Sequence, residues 1–208
     1  MKTILGYDPG GNGAHGVAAL SVDDLYTPTE MVVETKRTVD AAIGWFSQFV
    51  DVAGIGIDTL TQWATGQSGW RPADLWLRNH YPSVVLSVAA PNSLRGSMVI
   101  GGIVVKSWFH SRNPKALISE THPKVLYFAL SKQEYDWKHS SRKMLGFLSE
   151  QLGISVEARD EHQFDSAMSC YAVFQYLRGH WKRNLHADPA STCESSVEPF
   201  GESIYAWP

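Results

Sequence analysis

The chain of 208 residues is 44% hydrophobic and 12% aromatic, enough apolar material for one well-filled core, so a single domain is the expectation. A formal charge of −3 and a pI near 6.2 exclude a strong overall basic field for holding duplex nucleic acid, so any such contact must be local. Two cysteines, Cys170 in an apolar helical pattern and Cys193 in a polar stretch, exclude a disulfide framework and a zinc-ligand spacing. The start "MKTILGYDPGG" is too short in apolar length for a secretory signal, and no run reaches the roughly 18 apolar residues of a membrane span. These features read as a soluble, cytoplasmic protein with no membrane segment.

In chain order, residues 3 to 8 (TILGYD) form a short apolar run stopped by "PGGNG", and "GVAALSV" at 16 to 22 follows as the second arm of a hairpin. "MVVET" at 31 to 35 adds a third strand. Thr38 is an N-cap candidate for "VDAAIGWFSQFVD", which places Ala42, Trp45, Phe46 and Phe49 at helical spacing. "AGIGID" at 53 to 58 is a buried strand ending on Asp58, and "RPADLWLRNHY" at 71 to 81 a helix with Pro72 in its first turn. Residues 92 to 111 read as helix, "ALISE" at 116 to 120 as a strand ending on Glu120, and "PKVLYFALS" as a short helix. "SSRKMLGFLSEQLG" at 140 to 153 is amphipathic and closes on Gly153, a C-cap candidate. A last helix runs from about 163 to 179, opened by "EHQFDSAMSCY". Residues 187 to 208 have the composition of a loosely ordered tail whose final "IYAWP" can dock.

Strands followed by alternating helices and strands predict an α/β sheet of mixed direction. Asp8, Asp58 and Glu120 each close a predicted strand, the edge where open α/β sheets build their sites, and Asp165 opens the last helix. Four converging acids would repel one another by several kcal/mol unless a cation neutralised them. Hard oxygen ligands of this kind suit Mg²⁺ or Mn²⁺. Two such ions would permit phosphodiester hydrolysis, with His162 and His122 as candidate bases because imidazole titrates near neutrality. Arg71 and Arg78 lie seven apart with Asp74 between them, a spacing that would let two guanidiniums meet phosphates. Lys138, Arg142 and Lys143 form a second basic cluster, and Trp63 and Trp70 after Asp58 offer stacking surfaces for a single-stranded base.

The blocks "GYDPGGNGAHGVAAL", "GIGIDTL" followed by "RPADLWLR", "ETHPKVLYFAL" and "DEHQFDSAMSCYAVF" resemble, in that order, an uncharacterised family described as predicted ribonuclease-H-like nucleases (domain of unknown function 429). The resemblance covers roughly residues 3 to 178. It implies a ribonuclease H-like domain over 1–186, with a mixed five-stranded sheet whose first three strands are antiparallel, flanked by helices. It further implies metal ligation by Asp8, Asp58 or Glu120, and Asp165, and a nucleic acid as partner. The sequence departs from the family pattern at "IDTLTQW", which has threonine and leucine where a proline is common, and at "FDSAM", where a second acid often precedes alanine.

Three function classes follow. The first is a metal-dependent nuclease or related phosphodiesterase. The second is a phosphotransferase of the actin-like and sugar-kinase type, which "GYDPGGNGAHG" also resembles, although such enzymes pair two domains where this chain has room for one. The third is a non-catalytic binding module. No G-x-x-x-x-G-K-[ST] occurs, which disfavours a P-loop enzyme. A homodimer is compatible with the sequence.

Overall fold

The computed structural model describes residues 1–11, 13–90, 96–187 and 196–208. A strand meander opens the chain: β1 (Lys2–Asp8), β2 (His15–Val22) and β3 (Pro28–Lys36) pair antiparallel in sequence order. After α1 (Val39–Phe46), β4 (Val52–Ile57) returns parallel to β1. Thr38 caps α1 as its spacing predicts, its side chain accepting from the Ala41 amide at 3.1 Å.

A two-residue strand β5 (Trp63–Ala64), α2 (Pro72–His80), a 3-10 turn (Pro82–Ser87) and α3 (Gly96–Arg112) precede β6 (Leu117–Glu120), which pairs parallel to β4. Then come α4 (Pro123–Ser131), α5 (Trp137–Leu152) and α6 (Glu161–Leu177). Gly153 ends α5 in the left-handed region, at φ 70°, as expected of its C-cap. Residues 92–95 of the expected third long helix lie outside the described residues.

The sheet has seven strands rather than the expected five, in the order β3-β2-β1-β4-β6-β9-β7. Short strands β7 (Arg183–Asn184) and β9 (Ile204–Trp207) complete it, and β8 (Ser196–Val197) pairs with β5 outside it. The final segment docks, as expected of "IYAWP": β9 runs parallel to β6 and antiparallel to β7, and Trp207 is 1% exposed. Four residues are too few for periodicity to register, but two aromatic rings in "IYAWP" carry enough apolar area to order the segment. Cys193 and the rest of 188–195 lie outside the described residues. Trp207→Ala is expected to cost about 3–5 kcal/mol, read from urea unfolding; a loss below about 1 kcal/mol would mean that β9 does not anchor the sheet.

Side-chain alternation along the strands divides the core into two. Ile4, Ala18 and Leu20 face α4, α5 and α6, while Leu5, Tyr7, Val17, Ala19, Ile55, Ile57 and Ile118 face α1 and α3. The α6 side is set by glycines. A Cβ at Gly16 would stand 1.9 Å from the His162 carbonyl oxygen, and one at Gly56 2.3 Å from that of Ser169. Helix backbone thus lies directly on strand backbone, close enough to bring the first turns of α6 to the carboxyl ends of β1 and β4. No helix among the described residues is long and apolar enough to cross a membrane.

Candidate metal centre

Asp8 ends β1, and Asp58 follows β4. Because Tyr7 pairs with Ile57 in the parallel ladder, and the Asp58 amide donates to the Tyr7 carbonyl at 2.8 Å, the two carboxylates leave adjacent strands at the same level and on the α6 side. Asp165 meets them from α6. The helix begins at Glu161 with Asp160 as N-cap, so Asp165 sits one turn in and is not itself the opening residue. One carboxylate oxygen from each of Asp8, Asp58 and Asp165 lies within 4.8 Å of the other two. Asp8 and Asp165 are 3% and 2% exposed, and Asp58 is half-buried.

Each close pair of charges repels by about 3.5 kcal/mol at an effective dielectric of ~20, so three unneutralised carboxylates strain the fold. Burial pushes all three carboxyls above their ordinary range; the Asp8 charge pushes Asp58 and Asp165 further, while the contact with His162 opposes the shift at Asp8. Three protein groups hold the acids in place. Tyr135 Oη donates to Asp165 Oδ1 at 2.7 Å, and His162 Nδ1 lies 2.5 Å from Asp8 Oδ2. Lys124 supplies the neighbouring positive charge: burial works against it, but Asp165, Glu161, Asp58 and Asp8 outweigh burial and raise its pKa. Among the described residues, the Asp58 carboxylate has no hydrogen-bond partner.

The three acids and His162 line one cleft of about 300 Å³ together with Lys124 and Glu161. No protein-family model matches the chain, and no curated protein matches it. Two solved structures are similar to it in part. The structure of Thermus thermophilus RuvC shares 13% identity at a TM-score of 0.44, covering 85% of this chain and 96% of that one. T. thermophilus RuvC in complex with Holliday junction substrate shares 13% at 0.45, covering 86% and 97%.

Glu120 lines the same cleft but does not join the cluster of the three aspartates. It pairs with Ile57 in the ladder, one step short of the level of Asp58, so alternation turns its side chain to the opposite face. There Arg71 takes both of its oxygens, Nη1 to Oε2 at 2.7 Å and Nη2 to Oε1 at 2.5 Å, and the Thr61 amide donates to Oε2 at 2.7 Å. His186 Nε2 lies 3.3 Å from Oε2. Burial opposes ionisation of Glu120, yet Arg71 outweighs it and holds the carboxyl well below the usual range. This carboxylate serves a buried ion pair and is not placed to share a metal with Asp8, Asp58 and Asp165.

The predicted phosphate grip is likewise spent inside the protein. Arg71 is 2% exposed, and Asp74 takes its Nε at 2.9 Å and its Nη2 at 2.6 Å. Arg78 donates to the carbonyls of Val85 and Val88 at 2.9 and 3.0 Å and sits 4.7 Å above the Trp70 ring, bracing the 3-10 turn against α2. Arg142 and Lys143 are exposed on α5 and do not line the cleft; Lys138 lines a neighbouring one. Trp63 pairs within the small β5–β8 sheet and does not line the cleft either.

The two histidines differ. His162 is 25% exposed in its side chain, and its contact with Asp8 raises its pKa despite burial. His122 donates from Nε2 to the Ser87 carbonyl at 3.0 Å, and its Nδ1 is buried without a partner. Burial pushes the His122 pKa down to about 4, so the ring is neutral and a weak base at pH 7. Because the unfolded chain binds this proton from about pH 6.5 and the folded chain only near 4, the contribution is fully present above 6.5 and is lost as pH falls toward 4. The loss is at most about 3 kcal/mol. Urea unfolding should therefore show a steeper fall in stability over that window for the native protein than for His122→Gln; parallel curves would refute the buried neutral state.

Sequence reasoning missed Lys124, Tyr135 and Glu161. Lys124 directly follows "THP" in a block already singled out, and its place on the first turn of the helix after a site strand was the available signal. Tyr135 lies in an irregular stretch, and nothing in "QEYDW" marks it.

Proposed function

We propose that the cleft is the active site of a divalent-metal-dependent phosphodiesterase of the nuclease type, with Mg²⁺ or Mn²⁺ held by Asp8, Asp58 and Asp165 in a ribonuclease H-like domain that includes β9. The observation that carries this reading is the convergence of three carboxylates, two buried and one half-buried, within 4.8 Å with a single lysine beside them. The donor set fits the ion: all three ligands are hard oxygens, and free lone pairs remain on Asp58 for coordination.

Ions bound there would supply an activated water and a Lewis acid, the water oxygen bonding to phosphorus as the bond to the departing ester oxygen breaks. The protein's own groups would do the rest. The Lys124 ammonium, on a side chain 40% exposed and lining the cleft, would meet a non-bridging phosphate oxygen. Tyr135 fixes the orientation of Asp165. His162, bridging Asp8 and solvent, is the group placed to exchange a proton at the cleft, since its Nδ1–H faces Asp8 and leaves Nε2 for the second proton.

The test is a crystal soaked in millimolar Mn²⁺, examined by anomalous scattering, beside a cleavage assay. An ion within about 2.0–2.2 Å of oxygens from at least two of the three aspartates supports the reading. An ion bound at Glu120 instead, or no ion at the three aspartates together with no metal-dependent hydrolysis, sinks it.

A further inference from the structure

The cleft carries a strong charge asymmetry. Among the described residues that line it, Lys124 is the one lysine or arginine, and it is already 3.6 Å from Glu161. The neighbouring cleft continues from it through Leu86, Ser87, Lys124 and Glu161, but there Lys138 and Lys124 face Glu134, Asp136 and Glu161. Proteins that hold duplexes neutralise about 6–10 phosphates with lysines and arginines. The arginines whose sequence spacing suited phosphates, Arg71 and Arg78, are turned inward.

What the cleft offers in place of cations is an apolar wall. Val88 and Val99, 3% and 5% exposed, line the cleft with Leu86 and Met98, and Leu86 is 90% exposed. The space beside the acids, about 300 Å³, is at the lower end for a small-molecule site, and the larger cleft that continues from it carries more acids than bases.

From the wall, the volume and the sparse positive charge among the described residues together, we infer that the substrate is a nucleotide-sized phosphodiester carrying one apolar or aromatic substituent, and not a nucleic-acid duplex. The phosphate meets the aspartate-held ions and Lys124; the substituent packs on Leu86, Val88, Met98 and Val99. This rests on the metal-dependent reading above and narrows its substrate.

Calorimetric titrations in millimolar Mn²⁺ compare a mononucleotide phosphodiester, the methyl phosphorothioate diester of thymidine 5′-phosphate, with hydrolysis-resistant phosphorothioate 20-mers, single-stranded and duplex. The expected result is that the mononucleotide binds within about threefold of either 20-mer, and that its affinity changes less than about fivefold between 50 and 200 mM salt. Binding of a 20-mer more than a hundredfold tighter, falling about 10³-fold or more over that salt range, would overturn the inference. Mn²⁺ binding without mononucleotide binding would overturn it too, while leaving the metal site standing. Absence of Mn²⁺ binding would remove both. Met98→Asn, polar but uncharged, is expected to weaken mononucleotide binding about tenfold with Mn²⁺ affinity unchanged, and equal mononucleotide affinity in this variant would refute the apolar wall.

Discussion

Asp58→Asn is expected to lower metal-dependent phosphodiester hydrolysis by about 10³-fold, about 4 kcal/mol of transition-state stabilisation, while the metal-free protein unfolds at the same temperature or higher. Both halves have one cause. The Asp58 carboxylate has no hydrogen-bond partner among the described residues and lies within 4.8 Å of oxygens on Asp8 and Asp165, so its charge is a liability until a cation arrives. Asparagine keeps the shape and removes one repelling charge. Asp8 and Asp165 are less clean choices, since each also ends a contact with His162 or Tyr135. Adding Mn²⁺ should raise the melting temperature of the native protein and leave that of the variant unchanged, because a ligand stabilises only the state that binds it. Undiminished hydrolysis in the variant would remove Asp58 from the centre.

Arg71→Met is expected to do the reverse: it should lower stability by about 3–5 kcal/mol and leave Mn²⁺ affinity of the folded protein intact. Removing the guanidinium strands Glu120 and Asp74, both 2% exposed, without their partner, and a buried charge left unpaired is costlier than the pair's net worth. For a domain of this size that is a fall of roughly 10 °C in melting temperature. Adding Glu120→Gln to Arg71→Met should recover part of the loss, since it removes the stranded charge. A drop in Mn²⁺ affinity equal to that of Asp58→Asn would instead place Glu120 in the metal site.

These two substitutions mark where the sequence was legible. The meander, the strands ending near 58 and 120, and the helices over 71–81, 123–131 and 161–177 carry periodicities and caps that survive in the fold. Asp8, Asp58 and Asp165 were recognisable because each stands at the end of a strand or near the start of a helix. Glu120 shares that signature and yet turns its carboxylate to Arg71, because a single step of register between β4 and β6 decides which way it points, and register is a property of the pair of strands and not of either one. Arg71 and Arg78 look like a phosphate clamp from spacing alone; only tertiary packing shows that Glu120, Asp74 and the carbonyls of Val85 and Val88 already occupy them. Strands β7 and β9 were missed because two- and four-residue strands are too short to show alternation.

The contact of α6 with the sheet through Gly16 and Gly56 bears on which ion the proposed metal site would prefer. Backbone resting on backbone leaves the helix no room to advance and no side chains that could yield to let it retreat, so the spacing of Asp165 from Asp8 and Asp58 is set by the main chain. An unyielding cage discriminates by size. Mg²⁺, with bonds near 2.0–2.1 Å and a demand for octahedral order, gains from such a frame, whereas Ca²⁺ seeks six to eight oxygens at about 2.3–2.6 Å and a flexible shell. Replacing either glycine with alanine would move the helix outward and, with it, the size of ion the aspartates hold best.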